Sequence, residues 1–122
     1  MSSEPGRFTE FVQRQAGETL RLVVRFTDDS STVEYVREDV AQRYSKDEFD
    51  DIVEDARTYA GHSHSDVVKE AAGDLYCQVI CFEHVVALVF PRDRGNTLVT
   101  MDPAAAQNLH EFASACEEFL QE

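Results

Sequence analysis

The sequence contains no tryptophan and only two lysines, Lys46 and Lys69, against nine arginines. Its three cysteines (Cys77, Cys81, Cys116) are an odd number, which does not suggest a disulfide framework and fits reduced thiols in the cytosol. Five scattered glycines leave no Gly-rich phosphate loop, and there is no G-x-S-x-G nucleophile elbow. The longest apolar stretch, Val79 to Phe90, is broken by Glu83–His84 and is too short to cross a bilayer. The opening MSSEPGRFTE lacks a basic n-region and an apolar h-region, so no signal peptide is expected and a cytoplasmic location is.

Positive charge is also in short supply. Asp and Glu number 24 against 11 Lys and Arg, a net charge of −13. The acids run along the whole length, from Asp28–Asp29 through Asp47–Asp55 to Glu117–Glu118. Such a balance argues against a nucleic-acid surface. In dilute salt it would repel itself and loosen the compact state. At molar salt the Debye length falls to about 3 Å and the repulsion is screened. The even spread and the scarcity of lysine therefore point to a protein of a salt-accumulating halophile; binding of a basic partner is the competing explanation.

What remains suffices for one domain over residues 1–122, since 43% of the residues are hydrophobic and can fill a core. A first helix is expected from a cap at Ser3 to Gly17, with Pro5 in its opening turn and Phe8, Phe11, Val12 and Ala16 on one face. In TLRLVVRFT, Leu20, Leu22, Val24 and Phe26 alternate with Arg21, Val23 and Arg25, predicting a strand partly open to solvent. The Asp28–Ser31 turn and Thr32–Arg37 complete a hairpin. Asp39 is expected to cap a short turn through Tyr44. Ser45-Lys46-Asp47-Glu48 is a capping box opening a helix with Phe49, Ile52, Val53 and Ala56 on one face and acids on the other. Residues 61–74 are expected to be a loop with one helical turn near Val67–Ala71. Strands follow at Leu75–Glu83, Val85–Phe90 and Thr97–Asp102, with Gly95 available for positive φ in the second turn. Asp102–Pro103 is a helix start, and Ala105, Leu109, Phe112, Ala113, Cys116, Phe119 and Leu120 share a face of the final helix. The fold class is thus α+β: a five-stranded antiparallel sheet flanked by helices, in the order α-β-β-α-β-β-β-α.

LRLVVRFTDDSSTVEYVREDV, YSKDEFDDIVED and DPAAAQNL resemble a family of small haloarchaeal proteins of no assigned function, which supplies no catalytic residues to carry over. The element order is similar to that of roadblock/longin-type domains, and profilin-like and GAF-like domains use related sheets. That resemblance implies strand order 2-1-5-4-3. It also implies a homodimer pairing the third strand and the second main helix across a two-fold axis, as a scaffold. The residues it places at the interface are Tyr76, Gln78, Ile80 and Phe82.

Among chemistry-bearing residues, Cys77 and Cys81 share one face of a strand with their sulfurs roughly 13 Å apart, so they are expected in the core and not on a metal. His62 and His64 can converge on a metal from their loop, but no third ligand is fixed by spacing; a solvated loop is the expected use. His110 is expected on the exposed side of the last helix. The i, i+4 acids of the 47–55 helix lack the geometry of a calcium loop. Arg21 and Arg25 are weak anion-ligand candidates, with cross-strand Glu34 or the acidic helix as their expected partners. No catalytic constellation or cofactor is expected. The leading expectation is a non-enzymatic interaction or scaffold domain acting on protein partners, with no nucleic-acid or membrane role. A small-molecule sensor is the alternative, to be favoured by an apolar pocket that includes Arg21 or Arg25; a metal enzyme using His62 and His64 ranks third.

The charge balance makes one prediction. Raising KCl from about 0.1 M to about 1 M, over which the Debye length shrinks from about 10 Å to about 3 Å, should raise the melting temperature. A flat or falling melting curve would remove the salt-adaptation reading.

Overall fold

The computed structural model describes residues 3–61 and 64–121, without the side chains of 3–5, 106–108 and 110. The expected cap at Ser3 and the placement of the His110 side chain therefore lie outside the described residues. Helix α1 (Ser3–Ala16) ends at Gly17, whose φ of +60° suits a residue without Cβ, and a 3-10 turn leads into the sheet. Strands β1 (Leu20–Phe26) and β2 (Ser31–Val36) form the expected hairpin, closed by the Thr27 N–H donating to the Ser30 carbonyl at 2.9 Å. Short helix α2 (Glu38–Arg43) and α3 (Lys46–Ala60) follow. Both halves of the capping box form: the Glu48 N–H donates to Ser45 Oγ, and the Ser45 N–H donates to Glu48 Oε1. Asp39 departs from expectation. It lies inside the first turn of α2 and its carboxylate accepts from Arg37, the residue at the cap position.

The 61–74 segment holds more helix than expected. Ser65 caps α4 (Asp66–Ala72), which Gly73 terminates at φ +86°. Strands β3 (Gln78–Cys81), β4 (Val86–Phe90) and β5 (Asn96–Met101) meander to the 3-10 segment Pro103–Asn108 and helix α5 (Leu109–Gln121). The sheet order is β2-β1-β5-β4-β3, antiparallel throughout, as implied by the roadblock/longin likeness. No helix among the described residues is long and apolar enough to cross a membrane.

Each face of the sheet has its own core. On one, α1 and α5 cover Leu20, Val23, Leu88, Phe90, Val99 and Met101, with Phe119 stacked on Phe11 at 4.8 Å and tilted against Phe8 at 5.7 Å. On the other, α3 lays Val53 and Ala56 over Leu22, Val24, Phe26, Val89 and Leu98. Two expectations for β1 are corrected here. Val23 is fully buried, because α1 and α5 cover the face that was expected to be open. Leu20 shares the core of Val23 and not that of Leu22, because a register irregularity lies between Leu20 and Leu22 where β1 meets β5.

Leu88 sits at zero exposure in the middle of the larger core, whereas Ser45 supports only one helix end. Leu88→Ala should cost about 3–4 kcal/mol and Ser45→Ala about 1 kcal/mol in urea unfolding. Equal costs would contradict a core packed around β4.

Candidate functional site

Strand β3 pairs only with β4, so its outer side is a sheet edge among the described residues. Its four residues alternate. Gln78 and Ile80 turn toward α3, where Gln78 Nε2 donates to the Tyr59 carbonyl at 2.8 Å and Ile80 joins the core. Val79 and Cys81 point the opposite way and are exposed, Val79 to 41%. Just before the strand, Tyr76 packs against the α5 core with its hydroxyl 3.2 Å from Ser114 Oγ. Just after it, Phe82 is 53% exposed, its N–H donating to the Val85 carbonyl in the hairpin turn. Of the four expected interface residues, Tyr76, Gln78 and Ile80 are thus engaged by the domain's own helices and Phe82 is open. Val79 and Cys81 are the surface positions that sequence reading passed over. Both faces of the strand are apolar in sequence, and only the reach of the helices decides which one stays covered.

The exposed edge continues into a groove of about 600 Å³ between α4, the approach to β3, and α5, lined by Val68, Leu75, Val79, Leu109 and His64 among others. Val67 and Val68 on α4 and Leu75 beside it are also exposed. His62 lies outside the described residues. Among those described, no three His, Cys, Asp or Glu side chains gather as a metal site. Cys77 is half-buried and Cys116 fully buried. Burial pushes both thiols up to about 12, with Glu117 adding to the effect at Cys77. Cys81 is exposed, contrary to the expectation that it belongs to the core: β3 is the outermost strand and α5 does not cover its end.

A second concavity, of about 410 Å³, opens on the α3 face beneath the β3–β4 hairpin. Leu22, Ala87, Val89 and Leu98 contribute from the sheet, Ile52 and Ala56 from α3. Tyr44, Tyr59 and Phe82 bring rings, while Arg21, Asp55, Glu83, His84 and Thr100 bring polar groups.

Arg21 reaches neither Glu34 nor the acidic helix. Its Nη1 donates to Asp102 Oδ1 at 3.1 Å, and Arg37 donates to both oxygens of the same carboxylate, at 2.8 and 3.2 Å. Glu34 falls at a bulge in β2, between the partners of Val23 and Val24, and the register on neither side of the bulge would set it opposite an arginine. Asp102 keeps the cap position before Pro103, but its side chain makes no capping bond, because three hydrogen bonds from two guanidinium groups hold its carboxylate instead. The Arg37 hydrogen bonds, seconded by Arg21, hold the Asp102 carboxyl below its usual value. Arg37 also grips Asp39 at 2.7 Å, and its own pKa is raised by Asp39 first and Asp102 second. Arg25 is exposed beside the Gly95 turn. Arg57 ties α3 to the β1–β2 turn, donating to the carbonyls of Thr27 and Ser30.

A family model described as a domain of unknown function, DUF7522, matches residues 6–121. Comparison with curated proteins gives no match.

The Asp102 cluster fixes a pH dependence. Its folded pKa lies below the ordinary 3.8, so its stabilisation is complete above that value and is lost as pH falls through the depressed one. Asp102→Asn should cost about 1–2 kcal/mol near neutrality, discounted for a side chain one-third exposed. The gap to the unmodified protein should narrow below about pH 4; a gap constant with pH would show that the carboxylate charge is not what the arginines need.

Proposed function

Since the chain belongs to the DUF7522 family of domains of unknown function, we propose from its own surface that it is a non-enzymatic interaction domain that pairs with a second copy through β3. The carrying observation is the composition of that edge. Leu75–Phe82 reads LYCQVICF, an uncharged run in a chain of which 29% is charged. The opposite edge, β2, carries Glu34 and is followed by Arg37, Glu38 and Asp39, the charged dressing by which sheet edges usually avoid pairing. An undressed edge with Val79 and Phe82 at its surface favours strand addition, and a two-fold axis lets one antiparallel strand serve as its own partner.

A second copy suits this edge better than a basic partner, because the acids lie elsewhere and β3 offers them nothing to pair. The net charge of −13 opposes self-association in dilute buffer and is screened in strong salt, so the dimer belongs to a salt-rich cytoplasm. The strand order shared with roadblock/longin-type domains supports a scaffold role for such a pair.

Light scattering at molar KCl should give twice the 13.8 kDa chain mass. Val79→Asp, which places a charge at the centre of the edge, should return the mass to that of one chain with unchanged circular dichroism. A strictly monomeric unmodified protein would overturn the proposal.

A further inference from the structure

We propose that the cavity beneath the β3–β4 hairpin binds a compact, uncharged aromatic molecule of about two fused rings. The cavity shares Phe82 with the β3 edge, but the rest of its lining lies on β1, β4, β5, α2 and α3, so its occupancy can be read apart from edge pairing. Its space has an identifiable origin. Ala56 on α3 and Ala87 on β4 are both nearly fully buried and both line the cavity, and larger side chains there would fill it. The volume of about 410 Å³ lies within the usual range for small-molecule sites and well above the ~150 Å³ that accommodates a single benzene ring. Leu22, Val89 and Leu98 close the floor at 2%, 0% and 3% exposure, so the apolar surface open to a guest is that of Ile52, Val85 and the rings around them, where water finds few partners and is displaced with gain.

Charge selects the class of guest. Arg21 is the cation nearest to hand, but its Nη1 is already committed to Asp102. At molar salt the net charge of −13 is screened, so what counts against an anion is the nearby Asp55 and Glu83 in the lining and the water its charge would have to give up. A cation drawn to those carboxylates would have to leave water for an aliphatic floor that carries no acid. An uncharged ring system avoids both costs and finds the rings of Tyr44, Tyr59 and Phe82 around it. Thr100, buried at 8% exposure, adds one hydroxyl that can accept a ring N–H or donate to a ring oxygen.

The test is an NMR titration of the full chain at molar KCl with indole, and in parallel with indole-3-acetate, which adds a carboxylate to the same ring system. The methyl signals of Ile52, Val85 and Ala87 should shift saturably with indole, with Kd below about 1 mM. Indole-3-acetate should bind at least ~10-fold more weakly, because its carboxylate has to give up water on entering an apolar lining. Ala87→Leu, which fills the floor, should abolish the shifts. Phe82→Ala, made alongside Val79→Asp so that edge pairing plays no part, should weaken binding several-fold relative to Val79→Asp alone, even if the first variant fails to fold. Absence of saturable shifts at these methyls would overturn the proposal. So would shifts confined to the α4 groove, equal affinity for the two ligands, or indifference to Phe82→Ala.

Discussion

A strand without a polar face has to be covered twice. Val86–Phe90 is buried at every position and so is Thr97–Met101, so β4 and β5 require packed layers above and below. That requirement assigns the helices: α1 and α5 to one face, α3 to the other. It also sets the width of the cover. Helices centred on β1, β5 and β4 leave the outermost strand, β3, with one side of its residues tucked under α3 and the other in solvent. The exposed edge and the cavity are both consequences of where two layers of helix stop.

The legible parts of the chain were those set by neighbours in sequence. The Ser45–Glu48 capping box, the Val53–Ala56 face of α3 and the Leu109–Leu120 face of α5 all depend on three- and four-residue spacings, and all form. The illegible parts depended on residues far away. No local pattern announces the irregularity at Leu20–Leu22, because it exists only against β5. Asp102 followed by Pro103 reads as a cap, and its diversion to Arg21 and Arg37 needs the sheet order first. The same holds for the candidate site. Its strand and its apolar character were visible, whereas the covered side of Gln78 and Ile80 was fixed by α3, and the cavity needed α2, α3 and the hairpin to be assembled.

The Asp102 cluster gives a second use to charges in a chain that has too many of one sign. Most carboxylates face water, but this one joins the end of β5 to an arginine within β1 and another just after β2. The β2–β1 and β1–β5 joins of the sheet therefore meet at one polar point at the edge of an otherwise apolar interior. Arg57 does the equivalent at the other end of β1, holding the turn at Thr27–Ser30 against α3. With so few basic residues available, the partially buried arginines act as fasteners between elements.

The pairing of β1 with β5 also dictates an order of events as the chain is made. Leu22 finds its partner at Thr100, so one flank of β1 stays bare until the residues around 100 have been made. The β1–β2 hairpin and the helices before residue 61 can form early from local contacts, but the larger core waits for α5, the last element. Removing the final helix uncovers Val23, Leu88 and Met101 together, and a nascent chain stalled before that point presents an open apolar sheet to its surroundings.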